Sequence, residues 1–575
     1  MMIKKFTALI ATFLVTTFVV VAQQSLEPSA EKLQKHVSYL ASDALEGRRT
    51  GTVGAADAAH YIAHEFEALG IRPAPATDSW KINVMLARYL QTFPYIGRVE
   101  LGKKNVMSVG GGETLRIGED WMPLGLSANQ TLNLTEVVFA GYGITANELN
   151  HNDYKGTYSK SQVAVIQKGT PDGDNPHGKF TSAGQLRFKV AAAQSAGVGA
   201  LLIISSEDDF KTDALVNLRY DNAGLAGIPV AVISKQAAEK LRNAKDVKLT
   251  TDVVRVEVPT YNVVGVIEGS DPVLKNESIV IGAHYDHLGR GGEGSLAPRS
   301  GEVHHGADDN ASGTAGVLEL ARIFSAERSK LKRTLVFIAF SGEEEGLLGS
   351  NYYVNHPLVP LDKTVAMINM DMIGRMKDGK LSIGGVGTAK EWRQLIGSGD
   401  TFALTLNDDG YGPSDHSSFY SKQIPVLFFW TGTHNDYHKP SDTFDKINYN
   451  DEARILSMVA RIVRDVDAAD QRLTYTTAKS DPPRGGGFRV YLGTIPNYAD
   501  TTDGLLLDGV RDDSPATKAG LKAGDRIVKI GNRDVKNVYD YTYALGEMKA
   551  GQEYVIEVIR SGEKLTLKIT PEARK

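Results

Sequence analysis

Four apolar, strand-like runs in the second half of the chain each lead into side chains that commonly bind metal ions. The runs are residues 278–282, 334–340, 364–368 and 426–430. The side chains that follow them are His284, the pair Glu343 and Glu344, Asp371 and His438. In open α/β sheets, ligands bind beyond the carboxyl ends of the strands, so we expect these side chains to meet at one edge of one sheet.

Helix-like segments alternate with these runs between residues 261 and 467. This pattern indicates an α/β domain whose central sheet is mostly parallel and flanked by helices. Asp308 and Asp309 precede a helix-like stretch at 311–326 and would lie at its N-terminus, near the same edge. Each motif alone could be a helix cap or a solvated loop. Their joint occurrence at equivalent strand ends argues against coincidence and predicts one site.

The types of side chain indicate zinc chemistry. The chain has no cysteine, which excludes disulfides, thiolate zinc sites and a cysteine nucleophile. Imidazole and paired carboxylate ligands suit two zinc ions that share a bridging carboxylate and a bridging water. Of two adjacent glutamates, one can bind metal while its neighbour moves a proton from the water to the leaving amine. Asp286, close to His284, is placed to hydrogen-bond the other imidazole nitrogen and fix its tautomer.

Length, charge and the N-terminus restrict the class of protein. A chain of 575 residues is too long for one core, so about three domains are expected. The net charge of -5 argues against binding to nucleic acid. Lys4 and Lys5 precede an apolar stretch at 6–21, which predicts a signal peptide over 1–22. No later segment is long and apolar enough to cross a bilayer. We therefore expect a periplasmic or extracellular protein that is not an integral membrane protein after signal cleavage.

The remaining segments differ in composition and in the spacing of their apolar residues. Helical spacing over 31–69 predicts two helices joined by a flexible loop around Arg48 and Arg49. We expect a catalytic domain over 23–109 and 254–470, interrupted by an accessory domain of short strands over 110–253 that carries no ligand cluster. The composition of residues 471–487 predicts a linker. Residues 488–575 form a small β-rich unit with one helix near 538–548.

The ordered motifs GAHYDHLG, GADDNASG, SGEEEGLLGS, NMDMIG and YHKPSDT resemble those of the M28 family of zinc peptidases. The resemblance implies the zinc-dependent exopeptidase fold, two Zn²⁺ ions and a cis peptide bond at Asp309–Asn310. It also assigns roles to individual residues: His284 and Asp371 would hold one zinc, Glu344 and His438 the other, Asp309 would bridge them, Glu343 would be the general base, and Tyr437 would stabilise the oxyanion.

Two further segments resemble known domains. Residues 110–253 are similar to a protease-associated (PA) domain. Residues 488–575 resemble a PDZ domain, with the SPAxxAGLxxGD pattern at 514–525. By that resemblance the carboxylate-binding loop, which would bind the C-termini of peptides, consists of Tyr491, Leu492, Gly493 and Thr494.

Our interpretation is a secreted di-zinc metallo-aminopeptidase that hydrolyses the N-terminal peptide bond of peptide substrates by a metal-activated water, with Glu343 as general base. Within the same fold, a carboxypeptidase acting on acidic peptides or a one-zinc glutaminyl cyclase are alternatives. A carboxypeptidase would need a basic cluster, for which Arg290, Arg299 and Arg375 are candidates. A non-catalytic envelope protein that binds peptides is an alternative from another class. The other residues near the site are expected to have structural, substrate-side or outer-sphere roles: His287, His304, His305, His416, His434, Asp415 and Asp442.

Overall fold

The structure is a computed structural model that describes residues 27–74, 88–146, 149–173, 178–180, 183–205, 208–211, 224–292, 294–297, 301–397, 402–478, 490–497 and 504–573. The predicted signal peptide and most of the predicted linker lie outside these ranges. Within them, no helix combines the length and the apolar character needed to cross a bilayer.

The N-terminal segment forms the two predicted helices, and both have side-chain caps. Ser29 and Thr52 accept hydrogen bonds from the first-turn amides of these helices. We had predicted that the intervening loop is flexible. In the structure the Arg48 side chain is fully buried and donates hydrogen bonds to backbone carbonyls of three other segments, which hold the loop in place. The elements are α1 (Ala30–Leu40), α2 (Val53–Ala68), β1 (Arg72–Pro73) and β2 (Leu90–Leu101).

The accessory unit that follows contains two sheets with their own buried cores. Its elements are β3 (Val106–Val109), β4 (Glu113–Leu115), β5 (Trp121–Pro123), β6 (Thr131–Leu134), β7 (Glu136–Phe139), β8 (Thr145–Ala146), β9 (His151–Asn152), β10 (Gln162–Gln167), α3 (Leu186–Ala196), β11 (Ala200–Ile204), β12 (Val230–Ile233), α4 (Lys235–Arg242) and β13 (Val247–Thr250). One sheet has the order β5–β12–β11–β10–β7 and the other β4–β3–β13–β6. Because β3 pairs with β13, the unit includes residues before the predicted boundary at 110.

The chain then returns to the main sheet. Its elements are β14 (Val253–Ile267), β15 (Ser278–His284), α5 (Gly313–Glu327), β16 (Thr334–Phe340), α6 (Leu348–Asn355), β17 (Thr364–Met370), β18 (Lys380–Gly384), α7 (Trp392–Ile396), β19 (Ala403–Leu406), α8 (His416–Tyr420), β20 (Val426–Trp430) and α9 (Tyr449–Ala468). The central strands β16–β15–β17–β20 are parallel, and antiparallel strands flank them. Helices α1, α2, α5 and α9 contribute to the core on one face, and α6 and α8 to the core on the other. The α/β fold with helices on both faces is confirmed.

The C-terminal unit is β-rich, as predicted, and has its own core. Its elements are β21 (Val490–Tyr491), β22 (Thr494–Pro496), β23 (Leu505–Val510), α10 (Pro515–Lys518), β24 (Arg526–Ile530), β25 (Arg533–Asp534), α11 (Val538–Glu547), β26 (Tyr554–Arg560), β27 (Glu563–Ile569) and β28 (Glu572–Ala573). Helix α11 packs against α3 of the accessory unit, and Tyr543 enters that unit's core. The C-terminal unit is therefore docked on the rest of the chain.

Candidate metal centre

The carboxyl ends of β15, β16, β17 and β20 lie together at one edge of the main sheet. His284 is the last residue of β15, and Asp371 directly follows β17. Glu343 and Glu344 lie just beyond the end of β16, and His438 lies in the loop after β20. Parallel strands in register thus bring side chains from distant parts of the sequence to one place.

The first cluster of ligand atoms surrounds His284, whose side chain is almost completely buried. Its Nε2 atom lies 3.4 Å from Oδ1 of Asp371 and 3.5 Å from Oδ1 of Asp309. Among the described atoms, Nε2 of His284 and Oδ1 of Asp371 are buried without a hydrogen-bond partner. Buried polar atoms of this kind are costly unless something binds them, and a shared cation would do so.

The second cluster surrounds His438. Its Nε2 atom lies 3.1 Å from Oδ2 of Asp309 and 3.3 Å from Oε2 of Glu344. The other ring nitrogen, Nδ1, lies 2.8 Å from the carbonyl oxygen of Gly294, which fixes the ring and leaves Nε2 facing the carboxylates. Asp309 therefore directs one carboxylate oxygen to each cluster.

The distances within both clusters fit zinc. Zinc binds nitrogen and oxygen at about 2.0–2.2 Å, and tetrahedral angles then place neighbouring ligand atoms roughly 3.3–3.6 Å apart. The separations of 3.1–3.5 Å in the two clusters are close to that range. A carboxylate that directs one oxygen to each of two such clusters has the geometry of a bridging ligand.

Two parts of the chain match models of known protein families. The model of peptidase family M28 matches residues 262–463, and a PDZ domain model matches residues 493–570. Residues 262–463 are an M28 peptidase domain. This match contains both clusters and the strands that carry them.

Relatives of the M28 domain match part of the chain. Aminopeptidase YwaD of Bacillus subtilis is 29% identical over 288 residues, which are 46% of this chain and 57% of that protein. Leupeptin-inactivating enzyme 1 of Streptomyces exfoliatus is 28% identical over 282 residues, 45% of this chain and 58% of that protein. The chain thus spans less than two thirds of these curated relatives. The solved zinc aminopeptidase BSAP from Bacillus subtilis aligns over 78% of this chain and 99% of that chain, with 22% identity and a TM-score of 0.48.

Within the M28 domain, the two adjacent glutamates lie in different environments. Oε2 of Glu343 lies 3.9 Å from Nε2 of His284, farther than the ligand pairs. Burial and neighbouring carboxylates raise the pKa of Glu343 well above its usual value. Burial also raises the pKa of Glu344, but hydrogen bonds from His287 and His438 outweigh it and leave that pKa lowered. A proton carrier and a permanently ionised ligand would differ in this way.

Asp286 lies behind His284 and connects three segments. Nδ1 of His284 lies 3.2 Å from the backbone oxygen of Asp286 and 3.6 Å from its Oδ1. The same carboxylate accepts hydrogen bonds from the Thr50 hydroxyl at 2.9 Å and from the amide of Glu343 at 3.2 Å. The sequence analysis missed Thr50, because nothing near it in sequence marks it as a partner of the site.

The two adjacent aspartates before α5 point in different directions. Asp308 turns away from both clusters, and its Oδ1 accepts a hydrogen bond from the amide of Gly374 at 2.7 Å. Oδ2 of Asp442 accepts from the backbone amides of both Asp308 and Asp309, at 2.9 and 3.2 Å. Asp442 thereby ties the His438 loop to the Asp309 loop. The peptide bond between Asp309 and Asn310 is cis, as the resemblance implied.

Tyr437 lies beside the second cluster. Its ring stacks on that of His438 with centroids 3.8 Å apart. Burial, followed by the negative charges of Asp309 and Glu344, raises the pKa of Tyr437 far above its usual value. Its hydroxyl therefore stays protonated and can donate a hydrogen bond.

His287 was expected to have a structural or substrate-side role, and the structure places it against the second cluster. Its Nδ1 atom lies 2.7 Å from Oε1 of Glu344 but 4.0 Å from Oδ2 of Asp309. The first distance is that of a hydrogen bond, and Oε1 is not the Glu344 oxygen that faces His438. Although His287, Asp309 and Glu344 could together surround a metal ion, these distances favour a hydrogen bond that orients Glu344. The repeated histidine in HYDH was the only sequence signal for it.

Replacement of His287 by alanine is expected to weaken zinc binding at the second cluster by about 10- to 100-fold, because Glu344 loses the hydrogen bond that orients it. Competition with a fluorescent chelator measures both zinc affinities. His356, an exposed histidine directly after α6, provides the control, since its replacement by alanine should change neither affinity. Equal loss at both clusters would contradict the assignment.

Five other predicted residues lie around the centre without joining a cluster. His434 lies 3.2 Å from Oδ2 of Asp308, and His416 stacks on Phe428. His305 hydrogen-bonds the carbonyl of Pro440, and His304 lies against Ser295. Asp415 is fully buried, and this burial raises its pKa to about 7.

The predicted carboxylate-binding loop joins β21 to β22 of the C-terminal unit: Tyr491 ends β21, Leu492 and Gly493 connect the strands, and Thr494 begins β22. Gly493 has a φ of +80°, and a Cβ atom there would approach Cβ of Ser514 to 2.2 Å, so the position requires glycine. The carbonyls of Leu492 and Gly493 accept hydrogen bonds from the amides of Ala516 and Arg511. Tyr491 and Leu492 precede the part matched by the PDZ model.

Proposed function

We propose that the chain is a di-zinc aminopeptidase. The observation that carries this proposal is the position of Asp309, whose two carboxylate oxygens face two separate sets of ligand atoms. His284 and Asp371 would hold one zinc and Glu344 and His438 the other, with Asp309 between them. The name of one curated relative, aminopeptidase YwaD, supports the same class of enzyme.

When bound, zinc would supply a Lewis acid that polarises the scissile carbonyl and makes water more acidic. Glu343 takes a proton as the water oxygen bonds to the carbonyl carbon, and it delivers that proton to the nitrogen as the C–N bond breaks. The Tyr437 hydroxyl donates to the carbonyl oxygen as negative charge develops there.

The contacts of the nearby arginines favour an aminopeptidase over a carboxypeptidase. Arg290 is paired with Glu46 at 2.9 Å, and Arg375 with Asp436 at 3.1 Å. Arg299 lies outside the described residues. The two described candidates are therefore already neutralised by carboxylates, which argues against their capturing the carboxylate of a substrate. A cyclase would need one metal and a binding protein none, whereas the two clusters of possible ligand atoms support a two-metal enzyme.

A peptide library with free and blocked termini tests this proposal. We expect cleavage of peptides with a free N-terminus and at least a 100-fold loss after N-acetylation, because the free amine would be a ligand of the centre. Mass spectrometry of the products and kcat/KM for each member give the answer. Cleavage that survives acetylation but requires a free C-terminus would establish the carboxypeptidase instead.

We further infer that the loop formed by Tyr491, Leu492, Gly493 and Thr494 binds the C-termini of peptides, adding the peptide as a strand beside β22. The same library tests this, since C-terminal amidation should then raise KM for long peptides but not for short ones. We also propose that the accessory unit is a PA-like domain. The protein is proposed to be exported and to act in the periplasm or outside the cell.

A further inference from the structure

A groove of about 290 Å³ lies between β2 and α6. Residues Phe93 to Ile96 of β2 form one wall. The other wall is a single face of α6 together with His356, the residue that follows the helix. The helical residues of this wall are spaced three or four apart: Leu348, Asn351, Tyr352 and Asn355. The groove therefore runs along the whole length of α6.

One end of the groove lies at Leu348, close in sequence to the candidate base and ligand. Leu348 follows Glu343 and Glu344 closely, and its amide donates to the carbonyl of Gly342 at 2.8 Å. Arg49 pairs with Glu345 at 2.9 Å and hydrogen-bonds Tyr95, which lines the groove. The chain that carries the candidate base and ligand thus continues directly into the wall of the groove.

The PDZ unit borders the same groove. The Asn351 side chain donates to Oδ2 of Asp508 at 3.4 Å, and Asp508 lies in β23. Strand β23 pairs with β22, which follows the proposed carboxylate-binding loop. A peptide that leaves the metal centre along α6 would therefore pass beside the PDZ unit.

The lining fits an extended, mostly uncharged peptide. Phe93 stacks on Tyr352 with ring centroids 5.3 Å apart, and Tyr352 stacks on His356 at 4.3 Å. Aromatic walls of this kind bind apolar side chains, while the amides of Asn351 and Asn355 can bond a peptide backbone. Among the lining residues, Glu257 is the one acidic side chain, and none is lysine or arginine. The volume is near the lower end, about 300 Å³, of ligand pockets in proteins.

We propose that this groove binds the part of a peptide substrate that lies C-terminal to the cleaved bond. The inference rests on the proposed function and adds a length preference to it. Helix α6 has 8 residues, so it spans about 12 Å, which corresponds to roughly four residues of extended chain. Substrates should therefore gain from length up to about five residues, counting the one removed at the metal centre.

A length series of leucine-containing peptides tests the groove. In the wild-type protein, kcat/KM should rise with length and level off near five residues. Asn355→Trp places a large side chain on an exposed position of the groove and should lower the ratio of pentapeptide to dipeptide kcat/KM about tenfold, the loss expected when one apolar side chain is left unbound. Asn276→Trp is the control, because Asn276 is also exposed but precedes β15 at the opposite end of the strands. That variant should keep the wild-type ratio.

A binding measurement separates this inference from the proposed function. Fluorescence anisotropy of a labelled pentapeptide with the Glu343→Ala protein should show binding that the additional Asn355→Trp substitution weakens about tenfold. If the wild-type protein cleaves no peptide, the proposed function is wrong. The anisotropy measurement alone then shows whether the groove binds a peptide. An unchanged length gain and unchanged binding in Asn355→Trp, or equal losses in Asn276→Trp, would overturn the groove.

Discussion

A Glu343→Ala variant is expected to retain both zinc ions and to lose about 10²–10⁴-fold in kcat, the usual contribution of a positioned general base. Glu343 lies 3.9 Å from Nε2 of His284, outside the distances within the ligand clusters, so its removal should leave those clusters intact. Turnover should fall because Glu343 is the proposed carrier of the proton to the leaving nitrogen. Zinc stoichiometry by elemental analysis and kcat with one peptide substrate measure the two effects separately.

Glu344→Ala is the matched comparison, since it removes an adjacent residue of the same type. Oε2 of Glu344 lies 3.3 Å from Nε2 of His438, so this variant should lose zinc from the second cluster. Zinc lost from Glu343→Ala and kept by Glu344→Ala would show that the two roles are reversed. A Glu343→Gln variant, which preserves shape but cannot accept the proton, should behave like Glu343→Ala.

The strands of the main sheet could be predicted because their cause is local. Strands β16 and β20 begin and end at the predicted residues, since each is a continuous apolar run. Every residue of β16 is buried, and β20 is buried except for the half-buried Phe428 and Trp430. Strand β15 extends two residues beyond the predicted run because it pairs with β16 as far as Phe340. His284 is therefore held by strand hydrogen bonds rather than by a loop.

The environment of the centre could not be predicted, because its contacts join residues far apart in sequence. Arg48 donates to the carbonyls of Tyr285, His305 and Gly306, and any backbone carbonyl could have been its acceptor. The same limit applies to Thr50 at Asp286, and to β3, whose partner strand lies at the other end of the accessory unit. The local sequence pattern predicted the strands of the main sheet, whereas these contacts arise from the packing of segments that are distant in sequence.

The different roles of Asp308 and Asp309 also depend on contacts with residues that are distant in sequence. Two adjacent acids before a helix look equivalent in sequence, and only the family resemblance distinguished them. In the structure, Gly374 and Ser312 bond the Asp308 carboxylate and hold it away from the clusters. Asp309 has its Oδ1 and Oδ2 free to face His284 and His438.

An Asp309→Ala variant should consequently lose zinc from both clusters, because each would be left with two of its three proposed protein ligands. The expected zinc content falls from two ions per chain to near none. Activity should fall with it, and the melting temperature should no longer respond to a chelator, since a ligand that binds only the folded state stabilises it in proportion to occupancy. Elemental analysis and thermal denaturation with and without chelator provide the measurements.

Asp308→Asn is the control, because an asparagine oxygen can still accept from the Gly374 amide at the 2.7 Å contact that Asp308 makes. This variant should keep both zinc ions and its response to chelator. One remaining zinc in Asp309→Ala would mean that Asp309 serves a single cluster and that the centre has no bridging carboxylate. Loss of zinc from Asp308→Asn alone would show that Asp308 is the bridging ligand. The assignment of different roles to the two aspartates from their backbone contacts would then be wrong.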